Sequence, residues 1–475
     1  MNLYWILVSC YLLFALWALY YVIIYGERPT KSIAWVFALF TLPFLGAALY
    51  YLFGINRRKF KFYQLRKANK KKLESEYEQI LEHTHDSEEF NDPHKKKLAQ
   101  LIQKTCGQHA VQGNQVEILS DGEATFDSIF QTLRKAEHSI HLQYYIFSKG
   151  TLADTFYEIF KTKISEGVEV RLIYDSLGSF SFRGKTMKRF KKIGVKAFPM
   201  MPLRMTSLLY NINYRNHRKI LVVDGKIGFT GGVNVSDKYI KPISKLGIWQ
   251  DIHLKIEGPV VNGLQRIFVE DYFFAGDKDL LASADYFPAI EKKGGHALQI
   301  AASGPDSEYP TILHQYITMI QMAQECIYIA NPYFIPGHAI MEAIRIAALS
   351  GVEVSLLIPR KGDSKLATMS MFSRFQPLLA AGVKIFLRKD FSHSKMILID
   401  DTIASVGSGN FDYRSFVHNF ETNAILYDTD LVGQIKQEFN AICEDIDQLD
   451  PQQFKDRGLI RRLGEGFARL LSPLL

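Results

Sequence analysis

Two stretches of this chain carry one pattern, His-x-Lys-x4-Asp-x6-Gly-(Gly/Ser)-x-Asn. The first runs through His217, Lys219, Asp224, Gly231, Gly232 and Asn234, the second through His393, Lys395, Asp400, Gly407, Ser408 and Asn410. The flanking sequence repeats in the same order. Residues 139–147 (SIHLQYYIF) match 325–334 (ECIYIANPYF), 167–173 (GVEVRLI) match 351–357 (GVEVSLL), and 194–198 (GVKAF) match 382–386 (GVKIF). Each matched piece is a short, β-rich apolar run that reads as a buried strand. Helical stretches at 152–165 and 339–349 lie between them. A duplicated unit that alternates strand and helix implies an α/β fold of two pseudo-symmetric lobes, with helices on both faces of the sheet.

The chain is 475 residues long, 47% hydrophobic and 22% charged, which suits two or three globular domains. Lysine and arginine exceed aspartate and glutamate by 57 − 49, or +8, a balance that favours an acidic partner such as nucleic acid or an anionic membrane. The four cysteines, Cys10, Cys106, Cys326 and Cys443, are scattered and form no disulfide or zinc framework. Residues 3–25 and 32–55 are uncharged runs joined by a short polar turn. Each has the roughly 20 apolar residues that a membrane-spanning helix needs, so a two-helix transmembrane hairpin is expected over 1–56. Nine lysines and arginines follow within 57–72, which puts the rest of the chain on the cytoplasmic side of a cell membrane. The expected organisation continues with a basic, polar connector (57–109), a first lobe (110–290) and a second (291–475).

The motif itself suggests chemistry. Residues 220–223 and 396–399 are apolar, so each motif reads as a strand, with His217 and Lys219, and likewise His393 and Lys395, on one face. Two such strands meeting at a pseudo-twofold axis would gather two imidazoles and two ammoniums. That set suits a phosphodiester: one imidazole attacks phosphorus, the other protonates the leaving alcohol, and Lys219, Lys395, Asn234 and Asn410 stabilise the non-bridging oxygens. A nucleophilic imidazole needs a carboxylate on its other nitrogen. Asp251 and Glu421 stand at matching places downstream, and the chain order assigns Asp251 to His217 and Glu421 to His393. Asp224 and Asp400 lie farther along their strands and are expected to support backbone.

The paired motifs resemble the HKD motifs of the phospholipase D superfamily, over residues 116–475. The match to bacterial cardiolipin synthases is closer, through Trp35, the stretch from Leu42-Pro43 to 51–54, Tyr144 to Phe147, 213–219, Asn331 to Pro336, 411–415 and 472–475. The resemblance implies phospholipase-D-type lobes, a catalytic set of His217, Lys219, Asp224, His393, Lys395 and Asp400, and His217 as nucleophile. It implies that two phosphatidylglycerols give cardiolipin and glycerol through a phosphatidyl-histidine. No cofactor or metal is then required, and no Walker motif, dinucleotide fingerprint or magnesium-type carboxylate cluster is found. Gly232 departs from the serine common in the superfamily and removes any phosphate contact by that hydroxyl. Rival readings are a phospholipase D, a phosphatidylserine synthase, a nuclease, which the membrane runs oppose, and a non-catalytic membrane scaffold. Oligomeric state is not encoded in any pattern found.

Overall fold

The computed structural model describes residues 3–25, 29–42, 44–50, 90–202, 213–242, 246–276 and 285–472. The basic stretch 57–72, the proximal connector and the terminal 473–475 lie outside the described residues. The chain divides into two units, residues 1–67 with 203–213, and residues 68–202 with 214–475.

In the first unit, one unbroken helix, Leu3–Tyr25, carries the only described stretch long and apolar enough to cross a membrane, Trp5–Ile24. The described residues of the second apolar run fall in two helices. Helix Pro29–Thr41 stops before Pro43, and a separate short helix, Leu45–Leu49, follows Phe44 at φ 62°. Proline lacks the donor a continuing helix needs and its ring crowds the preceding turn. Ala18, Val22, Leu39, Ala47 and Tyr50 pack these helices together, and the Tyr11 hydroxyl donates to Leu39 O at 2.5 Å.

The second unit is built on a fifteen-stranded sheet. Its strands in the first half are β1 (Val111–Leu119), β2 (Ser139–Tyr144), β3 (Glu169–Asp175), β4 (Lys196–Met200), β5 (Arg215–Asn216), β6 (Ile220–Val223), β7 (Ile227–Gly231) and β8 (His253–Glu257). The second half supplies β9 (His296–Ser303), β10 (Cys326–Ala330), β11 (Glu353–Pro359), β12 (Lys384–Arg388), β13 (Met396–Ile399), β14 (Ile403–Gly407) and β15 (Asn419–Leu426). Fourteen strands run in the spatial order β12-β11-β10-β13-β14-β15-β9-β1-β8-β7-β6-β2-β3-β4, and β5 pairs with β15 off this path. Read from either edge, the order is the same up to the central β9–β1 pair, so the two halves share one topology.

Strand β2 shows why helices cover both faces. Ile140, Leu142 and Tyr144 enter an aromatic core with Phe126 and Phe156 from helices Gly122–Arg134 and Thr151–Ser165. Alternate residues face the other way: His141 stacks on Phe268 at 4.6 Å, and Gln143 donates to Asp271, both on helix Val261–Ala275. A strand buried on both sides reads as a continuous apolar run. A second core gathers Ile327, Ile329, Ile344, Leu356 and Phe375.

Helix Pro93–Cys106, within the expected connector, belongs to this second core through Leu98 and Ile102. Asp92 caps its N-terminus, and Gly107 at φ 71° closes its C-terminus, where a side chain would be strained.

Candidate active site

The motif strands β6 and β13 hold equivalent places in the two halves of the sheet, and the two histidines meet at one cavity of about 370 Å³. His217, His393, Asn234 and Asn410 all line it. The His-x-Lys segments are not themselves strand: the regular ladders begin at Ile220 and Met396. Instead, each segment crosses to the opposite half. His217 N donates to Phe420 O at 2.9 Å, beside the parallel β5–β15 pairing, and His393 N donates to Gln250 O at 2.6 Å, beside a parallel bridge from Gln250 to Ser392.

This crossing reverses the carboxylate assignment drawn from chain order. His217 Nδ1 is hydrogen-bonded with Glu421 Oε2 at 3.0 Å, with Ser408 O equally near, whereas His393 Nδ1 is hydrogen-bonded with Asp251 Oδ2 at 2.8 Å. Each histidine is thus oriented by the carboxylate of the other half, because its backbone pairs with the residue preceding that carboxylate. With Nδ1 engaged, Nε2 is the nitrogen left for chemistry.

The lysines sit deeper than expected. Lys219 and Lys395 are fully buried and are not among the residues lining the cavity. Lys219 Nζ donates to His217 O at 2.6 Å, and Lys395 Nζ donates to His393 O and lies 2.7 Å from His393 Nδ1. Both lie directly behind the histidines, where burial pushes the Lys219 ammonium well below its ordinary value.

Asp224 and Asp400 are not in the site. Each occupies a left-handed turn, at φ 53° and 48°, at the far end of its strand. The Asp224 carboxylate accepts from the amides of Glu137, His138 and Ser139, and Asp400 from those of Gln324, Glu325 and Cys326. They tie the starts of β2 and β10 to the ends of the motif strands β6 and β13.

Ser408 also plays another part than a phosphate contact. Its Oγ donates to Glu421 Oε2 at 2.5 Å and accepts from Thr422 N at 2.9 Å. At Gly232, its counterpart, a Cβ would stand 2.0 Å from Asp251 Oδ1, so the shorter carboxylate occupies the space a side chain would take.

The electrostatics differ between the two pairs. Burial raises Glu421, but His217, Lys219 and Ser408 outweigh it and hold its carboxyl below the usual value. Burial dominates at Asp251 despite Lys395 and lifts it to about 6. Burial lowers His217, with Glu421 opposing, and lowers His393 further because Lys395 and Lys219 add repulsion. Burial also brings Lys395 down to about 8.

Chain symmetry concealed several cavity residues. Arg215 lines the cavity, is 2% exposed, and pairs with Asp175 at 3.3 Å through Nη1, while its Nε and Nη2 have no hydrogen-bond partner among the described residues. Its counterpart in the repeat is Phe391, so a reading based on what both copies share passes over it. Arg414, Asp412, Tyr145 and Tyr333 also line the cavity, as does Trp249, whose ring centroid lies 5.3 Å from that of His393.

Comparison with known proteins points one way. A family model described as cardiolipin synthase, PLD-like domain, matches residues 129–250 and 316–443, and a phospholipase D-nuclease N-terminal model matches 13–54. A cardiolipin synthase of Geobacillus kaustophilus is 37% identical over 100% of this chain and 94% of its own length. Cardiolipin synthase 2 of Bacillus anthracis is 38% identical over 95% of this chain and 88% of its own. Among solved structures, a phosphatidylserine synthase of Haemophilus influenzae superposes with a TM-score of 0.60 at 16% identity, over 80% of this chain and 98% of that one, and so shares the fold.

Proposed function

We infer the reaction path from the family: this chain belongs to the cardiolipin synthases, phosphatidyltransferases of the phospholipase-D-like type, and its two histidines divide the chemistry between them. The substrate is phosphatidylglycerol. His217 Nε2 attacks the phosphorus as the bond to glycerol breaks, and His393 gives its proton to the departing glycerol oxygen. A phosphatidyl-His217 remains. The terminal hydroxyl of a second phosphatidylglycerol then yields its proton to His393, its oxygen bonds to phosphorus, and His217 leaves. Two phosphatidylglycerols become cardiolipin and glycerol, one phosphodiester exchanged for another, with no metal or nucleotide consumed.

The observation that carries this reading is the convergence of His217 and His393 on one cavity, each with Nδ1 held by a carboxylate. The ionised Glu421 behind His217 favours it as nucleophile, because it stabilises the positive ring that attack creates. The anionic phosphodiester between the rings raises the affinity of His393 for the proton it must hand over. Arg215, Asn234 and Asn410, which line the cavity, support binding of the non-bridging oxygens.

Helix Trp5–Ile24 supports anchoring in a cell membrane. We read 32–55 as a second, divided span, with residues 57–72 on the cytoplasmic face and no role for nucleic acid. Radiolabelled phosphatidylglycerol supplied to the reconstituted chain should yield cardiolipin and glycerol, and His217→Ala should abolish both. Phosphatidic acid as the sole product would make water the acceptor and overturn the transferase path.

A further inference from the structure

The last described helix, Leu459–Leu470, is amphipathic in the reverse sense to one that belongs to a water-facing surface. Its outer face carries Leu459, Ile460, Leu463, Phe467 and Leu470, between 63% and 88% exposed. Its inner face holds Glu465 and Ala468, which are buried, and Gly464, against Met369. Glu465 is satisfied there by Arg457 at 2.8 Å and Arg461 at 3.0 Å. A surface helix normally buries its apolar stripe and wets its charges. Here the body takes the carboxylate, and five large apolar side chains are left in one contiguous row, which calls for an apolar partner.

Position and charge identify that partner. The helix packs on helix Lys365–Phe372, with the Arg461 guanidinium 5.2 Å from the Phe372 ring centre and Arg374 bonded to Ser472 at 3.0 Å. Ser364, which caps that neighbouring helix, and Ala367, within it, line the catalytic cavity. Exposed Arg462 and Arg469 lie beside the apolar row. An apolar face edged by arginines is the composition of a helix lying in the headgroup region of an anionic bilayer. We propose that helix Leu459–Leu470 is an interfacial element that beds in the surface of a phosphatidylglycerol-containing bilayer and holds the active-site mouth against it. The proposal rests on the reading of the substrate as a membrane phospholipid.

Two measurements on the full chain in phosphatidylcholine vesicles containing phosphatidylglycerol test it. In the first, Leu463→Cys, made in a chain whose Cys10, Cys106 and Cys443 are serines, carries an environment-sensitive fluorophore. Lipid-borne nitroxides should quench it and aqueous iodide should not. Quenching by iodide, or shielding that tracks protein density and ignores the nitroxide lipid, would overturn the proposal, the latter in favour of a second copy of the chain. In the second, Leu463→Glu with Phe467→Glu should cut turnover of vesicle phosphatidylglycerol by about tenfold or more. Turnover of a short-chain, monomerically dissolved phosphatidylglycerol should remain that of the parent. Parental activity on vesicles would overturn the proposal; where the double variant fails on both substrates, the quenching result decides. Because quenching needs no turnover, a chain that beds its helix yet makes no cardiolipin would refute the substrate reading and leave the helix assignment standing.

Discussion

Glu421 and Asp251 differ by one methylene and by their company, and in the proposed mechanism the difference separates two tasks. Glu421 takes a hydroxyl from Ser408 and an amide from Asn419 at 3.2 Å, which keep its charge in a buried place. Asp251 has Gly232 where Ser408 would be and holds its proton up to about 6. Below that pH Asp251 is neutral and cannot stabilise a protonated His393, so the rate should fall as pH drops through about 6. The stability contribution runs oppositely: a raised carboxyl stabilises the fold at low pH and loses that contribution as pH rises through its folded value. Asp412 also titrates at about 6, so a pH–rate profile of Asp412→Asn identifies the group. That variant should keep the acid limb, and its disappearance would assign the limb to Asp412. The crossed pairing gives a second expectation. On a nitrophenyl phosphodiester, whose leaving group needs no acid, Asp251→Asn should still trap an adduct on His217, whereas Glu421→Gln should lose adduct formation by about 10²–10⁴-fold. Peptide mapping after an acid-free quench reads both, and the opposite pattern would restore the pairing by chain order.

At the scale of the element, the motif aspartates are fasteners. Each accepts three backbone amides from the start of the neighbouring strand while its own backbone sits in the left-handed region, where aspartate and asparagine are tolerated. Asp400→Ala should therefore lower stability by about 2–3 kcal/mol, measured by thermal unfolding, with kcat near the parent value, and Asp400→Asn should lose less. A large fall in kcat with unchanged melting would place Asp400 in the chemistry after all. These roles show how legibility divides. Strands β2, β3 and β4 and their counterparts β10, β11 and β12 could be read because local apolar runs repeat in order. The duplication marks the histidines and asparagines that line the cavity; it also marks the lysines, but not that they lie buried behind the histidines and off the cavity wall. The crossing of carboxylates could not, since it depends on pairings about 200 and 140 residues apart along the chain. Arg215 escaped because Phe391 stands at its repeat position. The second apolar run reads as one span because proline and glycine are tolerated inside membrane helices, whereas its described residues form two helices with Phe44 at φ 62° before the second.

For the whole molecule, the crossing makes catalysis a property of the joined halves. The sheet is continuous through β1 and β9, paired at Val111 with Leu298 and at Asn114 with His296. Neither half holds a complete histidine–carboxylate pair: His217 needs Glu421, and His393 needs Asp251. Self-pairing of one half is a poor substitute. Two first halves would present Asp251 to His217, with Gly232 where Ser408 supports Glu421. Two second halves would present Phe391 where Arg215 lines the cavity. The chain can be divided between residues 290 and 291, in an irregular segment before β9. Residues 1–290 and 291–475 expressed separately should each fail to form the covalent phosphatidyl adduct and to make cardiolipin. Co-expressed, they should recover both, because the paired strands and the two crossed carboxylates re-form without a peptide link. Adduct formation by residues 1–290 alone would mean that His217 finds its carboxylate within its own half or in a second copy of it, and would remove the crossed pair from the mechanism.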